Sequence, residues 1–311
     1  MTMTALTDIG RPSLVGLHPH PLARVMAWEL RRFAASRLFW FQALGSFGFF
    51  LLLTWVPGTT IHFSTRNNDG FIAGTSAQGL LLTLPTVLLL LVLLLPFVTA
   101  DGVTRDLHRR THELLLATAL PGWAYVWGRY LVCLAMSLGL AVLLLCATLL
   151  MGWLLHLTVP LYPAPQIEAV FSLWIGLVVP ATILVSSLSF ALGTLFPRQS
   201  TLIKTAVLVV WTVGAEILPF SLGSTLISTW YSNWDPTGAV TALKILSHTP
   251  DPPWHTATSM AQFQQALLSF ENTMPSIGEW FIPHLILAAV SLGLVALAAS
   301  TFQRSRVTLQ G

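Results

Sequence analysis

The chain has 311 residues, of which 54% are hydrophobic and 9% are charged, and its formal net charge is +3. A soluble protein of this length needs more polar side chains to cover its surface, so the composition excludes a soluble domain. Lipid is therefore the expected solvent for most of the chain. No nucleic acid is expected as a partner.

The N-terminal stretch lacks the features of a cleaved signal peptide. Its first 37 residues contain five arginines and no apolar core of the roughly 7–15 residues that such a peptide needs. Residues 1–20 are predicted to be a disordered lead-in. The first apolar stretch must then direct membrane insertion itself.

Six apolar stretches are long enough for a spanning helix, which needs about 20 residues. They are residues 38–56, 77–98, 124–157, 169–194, 202–222 and 280–301. We expect an all-α polytopic membrane domain over 38–301, with an outer segment at 223–279 and a tail at 302–311. Prolines in or near the spans are tolerable kink sites: Pro85, Pro96, Pro180 and Pro219.

The distribution of lysine and arginine predicts the orientation of these spans. With both termini inside, the outer segments hold only Arg66 and Lys244, and the remaining 13 of the 15 basic residues lie in cytoplasmic segments. Positive charge is retained on the cytoplasmic side of membranes. We therefore expect a multi-pass protein of the bacterial inner membrane with cytoplasmic N- and C-termini.

A charged segment separates the second and third spans, within the loop at 99–123. Residues 105–118 read RDLHRRTHELLLAT, and their apolar positions recur at the spacing of one helix face. The remaining arc carries the charged and titratable residues Arg105, Asp106, Arg109, Arg110, His112 and Glu113. Such an amphipathic helix could rest on anionic lipid, but its two acids are acceptors that suit a protein partner better.

This loop resembles that of ABC-2 type ABC transporter permeases. The matching residues are Arg105-Asp106, Thr111, Glu113-Leu114-Leu115-Leu116, Thr118 and Gly128-Arg129, whereas Arg110 replaces a usual glycine and the proline is displaced to Pro121. The stretch MAWELRRFAASRLFW (26–40) is similar to the interfacial connecting helix of that family, which implies such a helix over 21–37.

The resemblance implies a function for the chain. Its charged loop would be a coupling helix, with Arg105, Asp106, Arg109, Arg110, His112 and Glu113 docking into an ATP-binding subunit. The chain would be the permease subunit of an exporter, paired with a second permease subunit that is identical or related.

The chemistry of ATP hydrolysis is expected elsewhere. The phosphate-binding motif GxxxxGK[ST] needs a lysine after a glycine, and neither Lys204 nor Lys244 follows one. The chain itself is therefore predicted to be no enzyme and to carry no cofactor. ATP and Mg²⁺ would bind to the separate ATPase.

Other residues are candidates for the transport pathway or for different chemistry. Glu216 lies inside a predicted span, where a charge costs about 2.5–3.5 kcal/mol and is often functional. Trp230 and Trp234 could line an outer gate or anchor the chain at the interface. An alternative is a membrane enzyme or haem-dependent assembly factor that uses outer histidines such as His156 and His284.

Overall fold

A computed structural model describes most of the chain between residues 20 and 310. The described ranges are 20–60, 62–65, 68–71, 74–100, 121–159, 162–217, 229–247, 259–271, 273 and 278–310. Within them the α-helices are α1 (Pro21–Ala35), α2 (Arg37–Thr60), α3 (Ala77–Thr99), α4 (Gly122–Thr158), α5 (Ile167–Leu173), α6 (Val179–Leu195), α7 (Ser200–Thr212), α8 (Thr229–Asn233), α9 (Ala239–Ser247), α10 (Met260–Glu271) and α11 (Gly278–Gln310).

Five helical segments are long and apolar enough to cross a membrane. They are Arg37–Trp55, Ala77–Thr99, Gly122–Thr158, Ile167–Leu195 and Trp280–Phe302. The expectation of a helical, multi-pass membrane protein is thereby confirmed. The predicted span at 202–222 is described only as far as Ile217, through α7 and a π-helical turn at Val213–Ile217, so the number of six spans stays a prediction.

The bundle has two ends, which we call the loop end and the hairpin end. At the loop end, α3 stops at Thr99 and α4 begins at Gly122, on either side of residues 101–120. At the hairpin end, a two-stranded antiparallel hairpin pairs β1 (His62–Thr65) with β2 (Asn68–Phe71). The 37 residues of α4 extend for about 55 Å at 1.5 Å per residue. Because a hydrocarbon core is about 30 Å thick, α4 projects well beyond it.

The fourth span is interrupted by a π-helical turn at Trp174–Val178. Pro180, the second residue after this turn, has no N–H to donate, while the N–H of Val179 donates to the carbonyl oxygen of Trp174. The indole N–H of Trp174 donates to the carbonyl oxygen of Ala141 on α4, at 3.0 Å. A widened turn that is held against the neighbouring span thus lies just before Pro180, one of the tolerable kink sites.

The short helices α8 and α9 enter the bundle from the hairpin end. Gly238, between them, has a φ of +73°, which favours glycine. A Cβ added there would lie 3.4 Å from Leu88 and 3.6 Å from Leu177. Leu88 is at the middle of α3, so this part of the outer segment reaches halfway into the bundle.

Candidate functional site: the supports of the charged loop

The predicted coupling residues lie outside the described part of the chain. This applies to Arg105, Asp106, Arg109, Arg110, His112 and Glu113. The structure does describe the elements on both sides of that loop. They determine what a force on the loop would act on.

The first support is the close contact between the end of α3 and α6. Ala100, which directly precedes the loop, is 1% exposed. A Cβ added at Gly193 of α6 would overlap the carbonyl oxygen of Ala100. Only a glycine permits this approach of one backbone to another. The chain therefore enters the loop from a position that is packed against the fourth span.

The second support is the packing of α1 on the first turns of α4. Val25, Glu29 and Phe33 are the buried residues of α1, and their spacing of four places them on one helix face. A Cβ added at Gly128 of α4 would lie 2.8 Å from the Cβ and Cγ1 atoms of Val25. Gly128 thus lets the two helices approach closely just beyond the end of the loop.

Arg129 is the central residue of this contact. Its side chain is 0% exposed, and its guanidinium carbon lies 5.2 Å from the ring centroid of Trp28 and 4.5 Å from that of Tyr125. A guanidinium over an aromatic face is attracted by the ring quadrupole, and more strongly when water is absent. Arg129 therefore joins α4 to α1 through the ring of Trp28, while the ring of Tyr125 contacts it from the preceding turn of α4.

The last span, α11, also contacts these residues. The ring of Tyr125 stacks on Phe302 of α11, with centroids 5.7 Å apart and planes 22° apart. On α1, Glu29 is 0% exposed, and its Oε1 lies 2.5 Å from Nη2 of Arg32. We call Trp28, Glu29, Tyr125, Arg129 and Phe302 the Arg129 cluster.

The arrangement connects five elements around one loop. The end of α3 is packed on α6, and the start of α4 is packed on α1 and α11. Because close-packed interiors transmit displacement instead of absorbing it, a force on the loop acts on these elements together. The geometry offers a mechanical connection between the loop and the spans.

The burial of Arg129 is a feature that sequence reasoning missed. Positive-inside counting treated this residue as one of the basic residues facing the cytoplasm. Arg129 lies seven residues after the start of α4, and the helix then continues as an apolar run. This position could have marked Arg129 as a candidate, because ionisable residues within spans usually face the protein interior and are often functional.

The predicted residues of the outer gate are placed as follows. Glu216 lies in the π-helical turn at Val213–Ile217, and its side chain is outside the described part of the structure. Trp230 on α8 is 69% exposed. Trp234 is half-buried and directly follows α8. Its backbone N–H donates to the carbonyl oxygen of Trp230 at 3.1 Å.

Asp235, which sequence reasoning did not single out, holds the turn between α8 and α9. The side chain is 0% exposed, and Oδ1 accepts from the N–H of Thr237 at 2.9 Å, while Oδ2 accepts from the N–H of Val240 at 2.8 Å. The hydroxyl of Thr237 adds a bond at 2.7 Å. The pattern Asp-Pro-Thr-Gly is a turn signal that predicts such capping.

Burial raises the pKa of Asp235 above its ordinary value. The bonds from Thr237 and Val240 and the nearby His284 act in the opposite direction but are outweighed. His284 itself is 2% exposed on α11. A carboxyl and an imidazole therefore lie close to each other inside the hairpin end of the bundle.

The haem alternative depends on His156 and His284. Nδ1 of His156 lies 2.7 Å from the carbonyl oxygen of Tyr162, and Nδ1 of His284 lies 2.7 Å from that of Trp280. Among the residues that the structure describes, no group of three or more His, Cys, Asp or Glu side chains is arranged to hold a metal ion. Within the described ranges, each of these two histidines thus has its Nδ1 atom at a backbone carbonyl oxygen.

The chain matches no protein-family model and no curated protein sequence. The function therefore has to be inferred from the residues and their geometry.

Proposed function

We propose that the chain is the membrane-spanning subunit of an ABC transporter of the ABC-2 type. It moves a substrate out of the cell, and a separate ATP-binding subunit hydrolyses the ATP. In this proposal six spans cross the bacterial inner membrane with both termini in the cytoplasm. Two such chains, identical or related, enclose the pathway.

The observation that carries the proposal is the support of the charged loop on both sides. Ala100 is packed on Gly193 before the loop, and the Arg129 cluster joins α1, α4 and α11 after it. A loop that only rested on lipid would need no such supports. A loop that transmits the movement of an ATPase does need them, because a loose attachment would absorb the displacement.

The charges of the loop complete the mechanism. In the proposal, Arg105, Asp106, Arg109, Arg110, His112 and Glu113 dock into a cleft of the ATPase. Charges of both signs give such an interface a defined register. When the two ATPase subunits close on ATP, they pull on the loop, and the supported ends pass this movement to the second and third spans.

The hairpin end gives the proposal its second part. The segment of α8 and α9 reaches the middle of the bundle beside α3, so we infer that it blocks the outer exit of the pathway until the spans move. Glu216, Trp230 and Trp234 lie on or next to this segment in the sequence and remain the proposed residues of the outer gate.

Copurification tests the proposal. The chain is expressed with each ATP-binding protein whose gene neighbours its own, and affinity purification in detergent is expected to recover one of them with the chain in equal amounts. In proteoliposomes the complex should hydrolyse ATP faster than the isolated ATPase does. Recovery of the chain alone, with no change in the ATPase rate, would refute the proposal.

A further inference from the structure

A small pocket lies at the elbow between α1 and α2, near the loop end of the bundle. α1 ends at Ala35, and α2 begins at Arg37 after the single residue Ser36. The pocket has a volume of about 70 Å³. Its lining residues come from α1, α2 and the end of α3: Arg32, Phe33, Ser36, Leu38, Phe39, Gln42, Phe97 and Val98.

One part of this pocket suits an anion. Arg32 lines it, and Lys204 of α7 approaches from the side of α3, with its Nζ atom 5.5 Å from the ring centroid of Phe97. The hydroxyl of Ser36 and the side-chain amide of Gln42 are further groups that can donate hydrogen bonds. The guanidinium of Arg32 carries five N–H donors, and its Nη2 atom contacts Oε1 of Glu29.

The other part of the pocket is apolar. Phe33 and Phe39 meet edge to face, with centroids 5.6 Å apart, and Phe97 and Val98 complete the wall. Leu38, at the rim, is 66% exposed. A ligand that suits both parts has an anionic group joined directly to apolar chains.

The depth of the pocket in the membrane identifies the source of such a ligand. Trp28 and Trp40 flank the elbow, and each is 52% exposed. Exposed tryptophans lie preferentially at the level of the lipid headgroups. Arg37 begins the helical segment that is apolar enough to span the membrane, so the pocket lies where phosphates and acyl chains meet.

We propose that this elbow pocket binds an anionic phospholipid, whose phosphate lies between Arg32 and Lys204 and whose acyl chains run along Leu38, Phe39 and Phe97. Basic pockets between spanning helices are known to hold anionic headgroups in this way. The lipid would fill the angle between α1 and α2. It would also link α7 to the elbow, because the two cations come from different elements.

The experiment compares three variants of the complete chain, each of which replaces one basic residue with glutamine. Native mass spectrometry of the detergent-purified, delipidated protein measures the binding of phosphatidylglycerol and of phosphatidylcholine. Arg32→Gln removes the cation that lines the pocket, and Lys204→Gln removes the cation beside the pocket residue Phe97. Arg31→Gln removes the same charge from an exposed position next to Arg32 and serves as the control.

We expect the wild-type protein to bind phosphatidylglycerol more tightly than phosphatidylcholine. Each pocket variant should weaken its binding about fivefold, which is the typical effect of one basic residue on anionic lipid, and Arg31→Gln should leave it unchanged. Equal losses for Arg31→Gln and Arg32→Gln would reduce the site to a general surface attraction and overturn the proposal.

Two further measurements distinguish a lipid site from a site for free anions and cover a failure of Arg32→Gln to fold. Inorganic phosphate alone, at millimolar concentration, should not compete with the lipid; competition that depends on Arg32 would show a site for free anions and overturn the lipid assignment. If Arg32→Gln does not fold, because Glu29 loses its contact, Lys204→Gln decides. Unchanged lipid binding by that variant would also overturn the proposal.

Discussion

Arg129 shows how a single cation can hold a membrane bundle to a helix that lies beside it. The guanidinium lies between the rings of Trp28 and Tyr125 and has no exposure to water. A buried charge is favourable only where its surroundings compensate for lost hydration. Here the aromatic faces contribute to that compensation.

We expect Arg129→Ala to lower the free energy of unfolding by about 2 kcal/mol or more, the size of a desolvated cation–π contact. The measurement is the midpoint of thermal unfolding in detergent, followed by tryptophan fluorescence. Arg24→Ala removes an exposed arginine from α1 and should have no effect. Equal midpoints for both variants would show that the Arg129 cluster does not stabilise the protein.

Asp235 gives a prediction about pH. Because burial raises its pKa above the ordinary value of 3.8, the folded chain holds this proton at pH values where the unfolded chain has lost it. Its contribution to stability is therefore largest below that ordinary value and is lost as the pH rises through the raised pKa.

The difference in melting temperature between wild type and Asp235→Asn measures this contribution. Between pH 4 and pH 8, wild type should lose more stability with rising pH than the variant, in which residue 235 cannot titrate. Parallel curves for the two proteins would contradict the raised pKa. The absolute stability of the variant does not affect this comparison of slopes.

At the scale of elements, the contact of α1 with α4 depends on one glycine. Gly128→Ala would place a methyl group 2.8 Å from Val25, so α1 must move away from α4. We expect lower thermal stability, and only a partial recovery when Val25→Ala is added, because that change removes Cγ1 but keeps the Cβ atom at the same 2.8 Å; contacting residues show coupling energies of about 0.5–3 kcal/mol.

Gly139 provides the matched control on the same helix. A Cβ added there meets nothing within 4 Å, and alanine is favoured over glycine inside a helix by about 1 kcal/mol. Gly139→Ala should therefore keep or raise the melting temperature. If Gly128→Ala behaves in the same way, the close docking of α1 is wrong.

At the scale of the whole molecule, the sequence predicts the spanning helices well, because the lipid environment restricts the backbone to hydrogen-bonded structures. Backbone groups in hydrocarbon must be satisfied within helices, so the apolar run at 77–98 predicted α3 (Ala77–Thr99) to within one residue. The π-helical turn at Trp174–Val178 was not predicted, because Pro85 and Pro96 lie inside α3 without interrupting it and proline alone does not specify such a turn.

Features that arise from contacts between distant segments were not predictable in this way. The place of Arg129 at the start of a long apolar helix could have indicated its burial, but nothing near it in the sequence specifies its contact with Trp28 of α1. Similarly, α8 and α9 reach Leu88 because Asp235 satisfies their turn internally. The sequence predicted an outer segment at 223–279 but not its contact with the middle of α3.

The central claim is that the charged loop couples the spans to a separate ATPase, and its acidic residues test this claim most directly. Lipid contact should improve when Asp106 or Glu113 is neutralised, because an anionic surface repels acids. Docking to a protein should weaken instead, by about 2–5 kcal/mol for a desolvated charge partner. The two interpretations thus predict opposite effects.

The decisive measurement is the amount of ATPase that copurifies with Asp106→Ala and Glu113→Ala, together with the rate of transport-linked ATP hydrolysis. Glu168→Ala, which removes an exposed acid at the hairpin end, is the control and should behave as wild type. We predict that both loop variants insert into the membrane normally but lose partner binding and coupled hydrolysis. Full binding and full coupled activity in both would contradict the account.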